Sequence, residues 1–271
     1  MLHAQYYANG IKYNHRTITE IDPGCFRPHI HDAYEVIMIL RGEVTYMVEG
    51  RRYRLKRGDL VLSLPSVYHD ILPTDGIPYE RHNILVDSSA IPAAIRRMIP
   101  SDTDVFDTAE DGATAELFDR LGQYATRLTG EARDIAIGAV IAEIMIRLSL
   151  YEKGDAAGRF QNRTVGRALG YIHENLAAIQ SVEEVCQALY ITKSHIHHLF
   201  KEHIGVTPKR YIISKKLSEA RRLIRRGERP TEVYIKLGFG DYASFYRNYK
   251  RLYGYGPSEE LMHSANGDEM I

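Results

Sequence analysis

His29, His31, Glu35 and His69 are the residues whose types and spacing are best suited to chemistry. Three residues separate the His29-x-His31 pair from Glu35, and His69 lies beyond Pro65. Imidazole and carboxylate donors suit several divalent metals, and an open coordination position on such an ion would allow catalysis or ligand capture. On a strand, residues i and i+2 share a face, so His29 and His31 are expected to point together, with Glu35 an even number of residues away. A structural or effector-contacting role suits the same four residues. Ligand type alone does not separate zinc, iron, manganese or nickel.

The elements that must position them read as strands. Over residues 17–86 the apolar residues alternate or come in short runs between turn residues, as a compact antiparallel β structure requires. Residues 35–41 form a buried strand ending at Gly42, residues 44–48 and 52–55 flank the connection Glu49-Gly50-Arg51, and residues 60–64 stop at Pro65. Short strands without intervening helix predict a small barrel or jelly roll over about residues 1–90. Tyr34, Tyr46, Tyr53 and His82 are expected to line its interior, where flat faces and hydrogen-bonding tips suit a small polar ligand such as a sugar or carboxylate.

Two helices are expected within residues 113–151. Leu117, Leu121, Tyr124 and Leu128 form a stripe on the first. Ile135, Ala139, Ala142, Met145 and Leu148 form one on the second, widened by Ile137, Val140, Ile141, Ile144 and Ile146. These faces cover the barrel or form a seam between two copies. Residues 154–158 read as a flexible linker.

The last hundred or so residues carry a second kind of chemistry, two helix-turn-helix patterns joined by a basic helix. In the first, Ser181 and Glu184 form a capping box, Thr192 caps the second helix, and Ile196, Leu199 and Phe200 point into a core. In the second, Gly238 and Gly240 free the turn, Asp241 caps, and Phe245 and Tyr249 face inward. The joining helix starts at Pro208 and runs roughly 18 residues, about 27 Å at 1.5 Å per residue. Consecutive major grooves lie about 34 Å apart, so such a spacer sets two outward faces for neighbouring grooves of double-stranded DNA.

Phe200-Lys201, Gly205-Val206-Thr207-Pro208, Leu217-Ser218-Glu219-Ala220, Leu237-Gly238-Phe239, Ser244-Phe245, Tyr253-Gly254 and Pro257 resemble the DNA-binding domain of the AraC/XylS family of transcription regulators. By that resemblance Ser194, His197 and His198, and Tyr242, Ala243 and Arg247, face base edges. Lys201, Lys209, Arg210, Lys250 and Arg251 meet phosphates, which fix register without carrying sequence information. Arg247 is the strongest reader, because a bidentate arginine–guanine contact is worth about 1–3 kcal/mol of discrimination. Cys186 and Tyr234 stand where the family usually has alanine, and Tyr190 replaces its turn glycine. Bulk at Tyr234 is expected to alter how the second reading helix docks.

The His29, His31, Glu35 and His69 pattern resembles the cupins. In the regulator family such a barrel implies a small-molecule effector pocket, with a homodimer and RNA polymerase as further partners. The rival reading is a metal-dependent cupin enzyme, a dioxygenase or isomerase using these four residues. A basic tandem domain argues against it, since an enzyme needs no such tail.

The chain has 271 residues, length for two domains, and a formal net charge of zero. That balance hides a segregation. Residues 159–263 hold 18 Lys and Arg against 10 Asp and Glu, whereas residues 1–158 hold 17 against 23. A basic half on an acidic one fits a DNA reader attached to something else. Cys25 and Cys186 fall in different halves and are expected to stay reduced. No signal peptide or membrane span is expected, which suggests a cytoplasmic protein without membrane contact. The expected fold is two-domain α+β. A cupin-like jelly-roll barrel with trailing helices occupies residues 1–158, and an all-α tandem helix-turn-helix domain occupies residues 159–271.

Overall fold

The computed structural model describes residues 1–20, 28–74, 76–100, 105–151 and 162–265, with side chains up to Met262. Cys25 and the 154–158 linker lie outside the described residues. The chain divides into two compact units, Met1–Arg159 and Phe160–Ile271.

Among the described residues the first unit is built on nine strands: β1 (Leu2–Ala8), β2 (Ile11–Ile18), β3 (Ala33–Arg41), β4 (Val44–Val48), β5 (Arg51–Leu55), β6 (Asp59–Ser63), β7 (His69–Pro73), β8 (Tyr79–Asp87) and β9 (Val105–Asp107). They form a six-stranded sheet, β1-β2-β8-β3-β6-β9, and a three-stranded sheet, β5-β4-β7. All pairings are antiparallel. The expected barrel thus takes the form of two sheets, with β1 and most of β2 ahead of the residue 17–86 stretch whose pattern read as strands. Asn9-Gly10 closes the β1–β2 hairpin with φ of 53° and 71°, the left-handed pair that a two-residue type I′ turn requires and Asn-Gly supplies readily. Glu49-Gly50 makes the equivalent turn between β4 and β5. Arg51 therefore belongs to the strand and not to the connection.

Register separates two cores. Ile37, Ile39, Val44, Tyr46, Val48, Tyr53, Leu55, Val61 and Ile71 cluster between the sheets. Val36, Met38, Leu60, Leu62, Ile84 and Val86 turn to the other face of the large sheet, under helices. β3 and β6 are buried on both faces, which explains their unbroken apolar runs.

The covering helices are α2 (Gly112–Arg127) and α3 (Gly130–Arg147), preceded by the short α1 (Ala93–Arg96). Asp111 caps α2 through the Thr114 amide at 3.2 Å. It also accepts from Arg147 at the end of α3 (3.1 Å) and from the Tyr151 hydroxyl (2.6 Å), tying the two helices together. In α3 the buried stripe is Ile137, Val140, Ile141, Ile144 and Met145. Ile135, expected either to cover the barrel or to lie in a seam between two copies, is 69% exposed, because the wider row on the adjoining face takes the sheet.

The second unit holds α4 (Arg163–Glu174), α5 (Val182–Leu189), α6 (Lys193–His203), α7 (Pro208–Arg225), α8 (Pro230–Lys236), α9 (Tyr242–Tyr253) and α10 (Glu260–Ala265). α5 and α6 form one helix-turn-helix and α8 and α9 the other, with α7 between them. No helix among the described residues is long and apolar enough to cross a membrane.

Candidate functional site

Local capping sets the first helix-turn-helix. Ser181 Oγ accepts from the Glu184 amide at 3.4 Å, while the Glu184 carboxylate reaches one residue beyond a strict capping box, to the Gln180 amide at 3.1 Å. Thr192 Oγ1 accepts from the His195 amide at 3.2 Å, opening α6. Between the helices Tyr190 adopts φ 56°, ψ 45°, a left-handed conformation without a glycine, and its side chain points into solvent at 95% exposure. Ile196, Leu199 and Phe200 are buried, so Ser194, His195 and His198 stand outward on α6. His197 is half-buried, and His198 Nε2 lies 3.3 Å from Glu202.

The second helix-turn-helix repeats the plan. Asp241 Oδ1 accepts from the Ser244 amide at 2.7 Å, and Phe245 and Tyr249 are fully buried. Ala243, Arg247, Lys250 and Arg251 on α9 are exposed, as are Lys201, Lys209 and Arg210. Tyr242 departs from expectation. As the first residue of α9 it lies over the core, its ring 5.6 Å from Tyr234 and 5.8 Å from Phe245. The bulk of Tyr234 is thus taken up by an edge-on aromatic contact with the very residue expected to face the bases.

α7 joins the two helix-turn-helix motifs by more than length. Lys216 is 4% exposed, and its Nζ donates to the Ile179 carbonyl ahead of α5 at 2.6 Å and to the Gly238 carbonyl in the second turn at 3.4 Å. Gly238 has φ 66°, and a Cβ there would lie 2.5 Å from the Ala177 carbonyl oxygen, so only glycine lets the turn approach the segment ahead of α5 so closely. A cleft of about 520 Å³ runs between the two helix-turn-helix motifs, lined by Lys193, His197, Lys209, Ser244 and Asn248 among others. Glu260 of α10 is fully buried and accepts from Arg221 (2.9 Å), Arg225 (2.7 Å) and the Tyr249 hydroxyl (2.5 Å). Two of the arginines that make this half basic therefore share one buried carboxylate. Neither Lys216 nor Glu260 stands out in the sequence.

Between the sheets, His29, His31, Glu35 and His69 do converge, with one donor atom from each within 4.8 Å of the others. The convergence does not come from a shared strand. His29 and His31 precede β3, and reciprocal backbone bonds between His29 and His69 (3.0 and 3.1 Å) hold the segment in place. Glu35 Oε2 accepts from His69 Nε2 at 2.8 Å and lies 3.5 Å from His31 Nε2, while Glu35 Oε1 accepts from Asn83 at 2.8 Å. Burial alone would raise the Glu35 pKa, but hydrogen bonds from His31 and His69 outweigh it and hold the carboxyl well below its ordinary value. Burial likewise opposes charge on His69, yet its bond to Glu35 leaves the imidazole raised.

The donor set fits a divalent cation. His31 Nδ1 donates to the Ala33 carbonyl (3.1 Å) and His69 Nδ1 to the Val67 carbonyl (2.9 Å), which fixes both rings with Nε2 toward Glu35.

The four expected effector residues do not share one pocket. Tyr46 and Tyr53 lie between the sheets, and the Tyr46 hydroxyl bonds Ser63 at 2.9 Å. Tyr34 packs on the helix-facing core, since it shares strand parity with Val36 and Met38. His82 faces the same way, bonded through Nδ1 to the Tyr13 hydroxyl at 2.9 Å. Burial, then the neighbouring His15 and His3, pushes its pKa down to about 3. Asn83 and Arg81 were not legible as pocket residues in the sequence. They alternate with His82 on β8 and turn toward Glu35, and Arg81 Nε and Asn83 Oδ1 are buried without a hydrogen-bond partner.

Residues 185–262 match the helix-turn-helix domain family, and residues 21–145 match the AraC-like ligand binding domain family. A ligand-binding β domain followed by paired helix-turn-helix units defines a class: a DNA-binding regulator of transcription with an effector domain, and not an enzyme. The probable transcriptional regulator LumQ of Photobacterium leiognathi is 34% identical over 239 residues, covering 85% of this chain and 90% of its own. The chain belongs to the AraC/XylS family of transcription regulators. The HTH-type transcriptional activator RhaS of Escherichia fergusonii is 22% identical over 245 residues, with 87% of each chain covered. The lactose operon transcription activator of Staphylococcus xylosus is 24% identical over 234 residues, covering 83% of this chain and 82% of its own. The dioxygenase or isomerase reading falls with the family assignment.

Proposed function

We propose that the chain reads a specific double-stranded DNA sequence through α6 and α9, under the control of a small polar molecule held between the two sheets. Ser194, His197 and His198 meet bases in one groove, and Ala243 and Arg247 meet them in the next. Tyr242 acts through Tyr234 to set the tilt of α9. Lys201, Lys209, Arg210, Lys250 and Arg251 hold phosphates. The observation that carries the reading is Arg247, exposed on the second helix of a capped helix-turn-helix with no ion pair to occupy it among those described. Selection of bound sequences from a random DNA pool tests it. Wild-type protein enriches one motif, and Arg247→Ala relaxes a single position at a cost of about 1–3 kcal/mol. A pool with no enriched motif would sink the assignment.

For the effector, support comes from the polar groups between the sheets, Glu35, Asn83, Arg81, Ser63 and Tyr46, and from the relative named for a lactose operon. A hydroxyl-rich molecule such as a sugar would satisfy the unpartnered Arg81 Nε and Asn83 Oδ1. It acts on transcription only by binding one arrangement of the protein better than another. A second reading of the same space rests on the ring orientations: His29, His31, Glu35 and His69 hold a divalent cation that anchors an effector oxygen. Metal analysis of wild-type and His69→Ala protein separates the two, since only the second reading predicts stoichiometric metal lost on substitution with DNA binding intact. A homodimer is supported by Ile135 and Ile146, 69% and 37% exposed, in register with Ala139 and Ala142 on the outer face of α3. Function on chromosomal DNA places the protein in the cytoplasm.

A further inference from the structure

A second donor cluster lies on the helix-facing side of the large sheet, where the regulator reading gives it no task. His15 on β2 sits beside His82 on β8 in the ladder, and Glu80 is one pair further along on the same face. His15 Nε2 and Glu80 Oε1 are 2.7 Å apart. His3 joins them through an irregularity in register. Leu2 pairs with Arg16 but Ala4 pairs with His15, so His3 is the extra residue of a β-bulge. In a regular strand His3 and Ala4 would address opposite faces. The bulge brings His3 onto the face of Ala4, its ring 4.5 Å from His15 and its Nε2 2.7 Å from the Thr17 hydroxyl. Bulges re-aim side chains in this way beside functional sites.

We propose that His3, His15 and Glu80 form a binding site for a divalent transition-metal cation, separate from the His29, His31, Glu35 and His69 cluster between the sheets. One donor atom from each of the three lies within 4.8 Å of the others. An ion pair between His15 and Glu80 and the Thr17 hydroxyl beside His3 seat the three side chains, and a cation would draw on all three at once. Two imidazoles and a carboxylate are the donor set of zinc, cobalt, nickel and copper, whereas calcium and magnesium demand oxygen ligands. The donors come from three adjacent strands, a rigid frame for such a site. Beside them a concavity of about 310 Å³, lined by His3, His15, His82, Asp119 and Gln123, leaves room for further ligands of the ion. His82, 1% exposed, lines it with a buried Nε2 that has no hydrogen-bond partner. Bound metal would pin the edge strand β1 to β2 and β8.

The test uses tag-free full-length protein and Zn²⁺ alone, titrated calorimetrically, with His3→Ala, Glu80→Gln and His69→Ala variants alongside. Wild type and His69→Ala share one zinc equivalent that His3→Ala and Glu80→Gln weaken by at least about tenfold. Zinc also slows amide exchange along β1 in the wild type and not in His3→Ala. Because His3 is exposed, His3→Ala keeps the metal-free melting temperature of the wild type. Equal stoichiometry and affinity in wild type, His3→Ala and Glu80→Gln would overturn the proposal, as would zinc uptake abolished by His69→Ala alone. Neither result depends on whether the chain reads DNA as proposed.

Discussion

Tyr190 carries a cost that its surroundings do not repay. A non-glycine residue in the left-handed region costs about 1 kcal/mol or more, and a side chain 95% exposed recovers almost none of it by packing. Tyr190→Gly is therefore expected to raise the stability of the helix-turn-helix unit by about 1 kcal/mol, read from urea unfolding followed by circular dichroism. A drop in stability would mean that the ring makes a contact worth more than the strain. Tyr34 and His82 teach a different lesson at the same scale. Aromatic and imidazole side chains on a strand buried on both faces suit either side equally, so their types identify them as interior without saying which interior. Only strand register separates Tyr34 from Tyr46.

Among elements, α10 is held by one carboxylate. Burial would raise the Glu260 pKa, but the charge of Arg221 and the hydrogen bonds from Tyr249, Arg225 and Arg221 overcome it and lower the value from 4.5. As pH falls, the unfolded chain takes up this proton before the folded one does. The stabilisation is complete above about pH 4.5, the unfolded value, and disappears as pH drops through the lower folded value. Thermal melts should show Glu260→Gln less stable than wild type at pH 7 by about 1–3 kcal/mol, with the gap closing as pH falls below 4.5. A gap constant with pH would show that the charge contributes nothing. The caps at Ser181, Thr192 and Asp241 were legible because donor and acceptor lie three residues apart. Glu260 reaches arginines 35 and 39 residues away, and Lys216 a carbonyl 37 residues away, distances over which sequence pattern carries no signal. The His29–His69 convergence was legible as a set of donors, but the backbone bridge that creates it was not.

For the whole molecule, zero net charge conceals a basic half, and its size is partly spent on Glu260. Five exposed cations, Lys201, Lys209, Arg210, Lys250 and Arg251, are the phosphate partners proposed above. Each phosphate neutralised contributes a slope of about −0.9 to log affinity against log salt, so one protomer should give about −4 to −5. Fluorescence anisotropy across a salt series checks this, and Lys250→Ala should make the slope shallower by about 0.9 without altering which sequence is preferred. A slope near zero would mean that the acidic half cancels the basic one at the duplex.

If α6 and α9 read DNA as proposed, Lys216 and the close approach of Gly238 to Ala177 turn the pair into a gauge of length. A site lengthened by five base pairs presents its second half on the far side of the duplex, and any protein with fixed heads loses it. Ten extra pairs restore the angle but add about 34 Å of axial distance, a gap that a swivelling joint would bridge and a latched one would not. The spacing between the two halves of a target is therefore as much a part of the message as the bases, and evolution of a promoter under this regulator would tolerate base changes before it tolerated insertions.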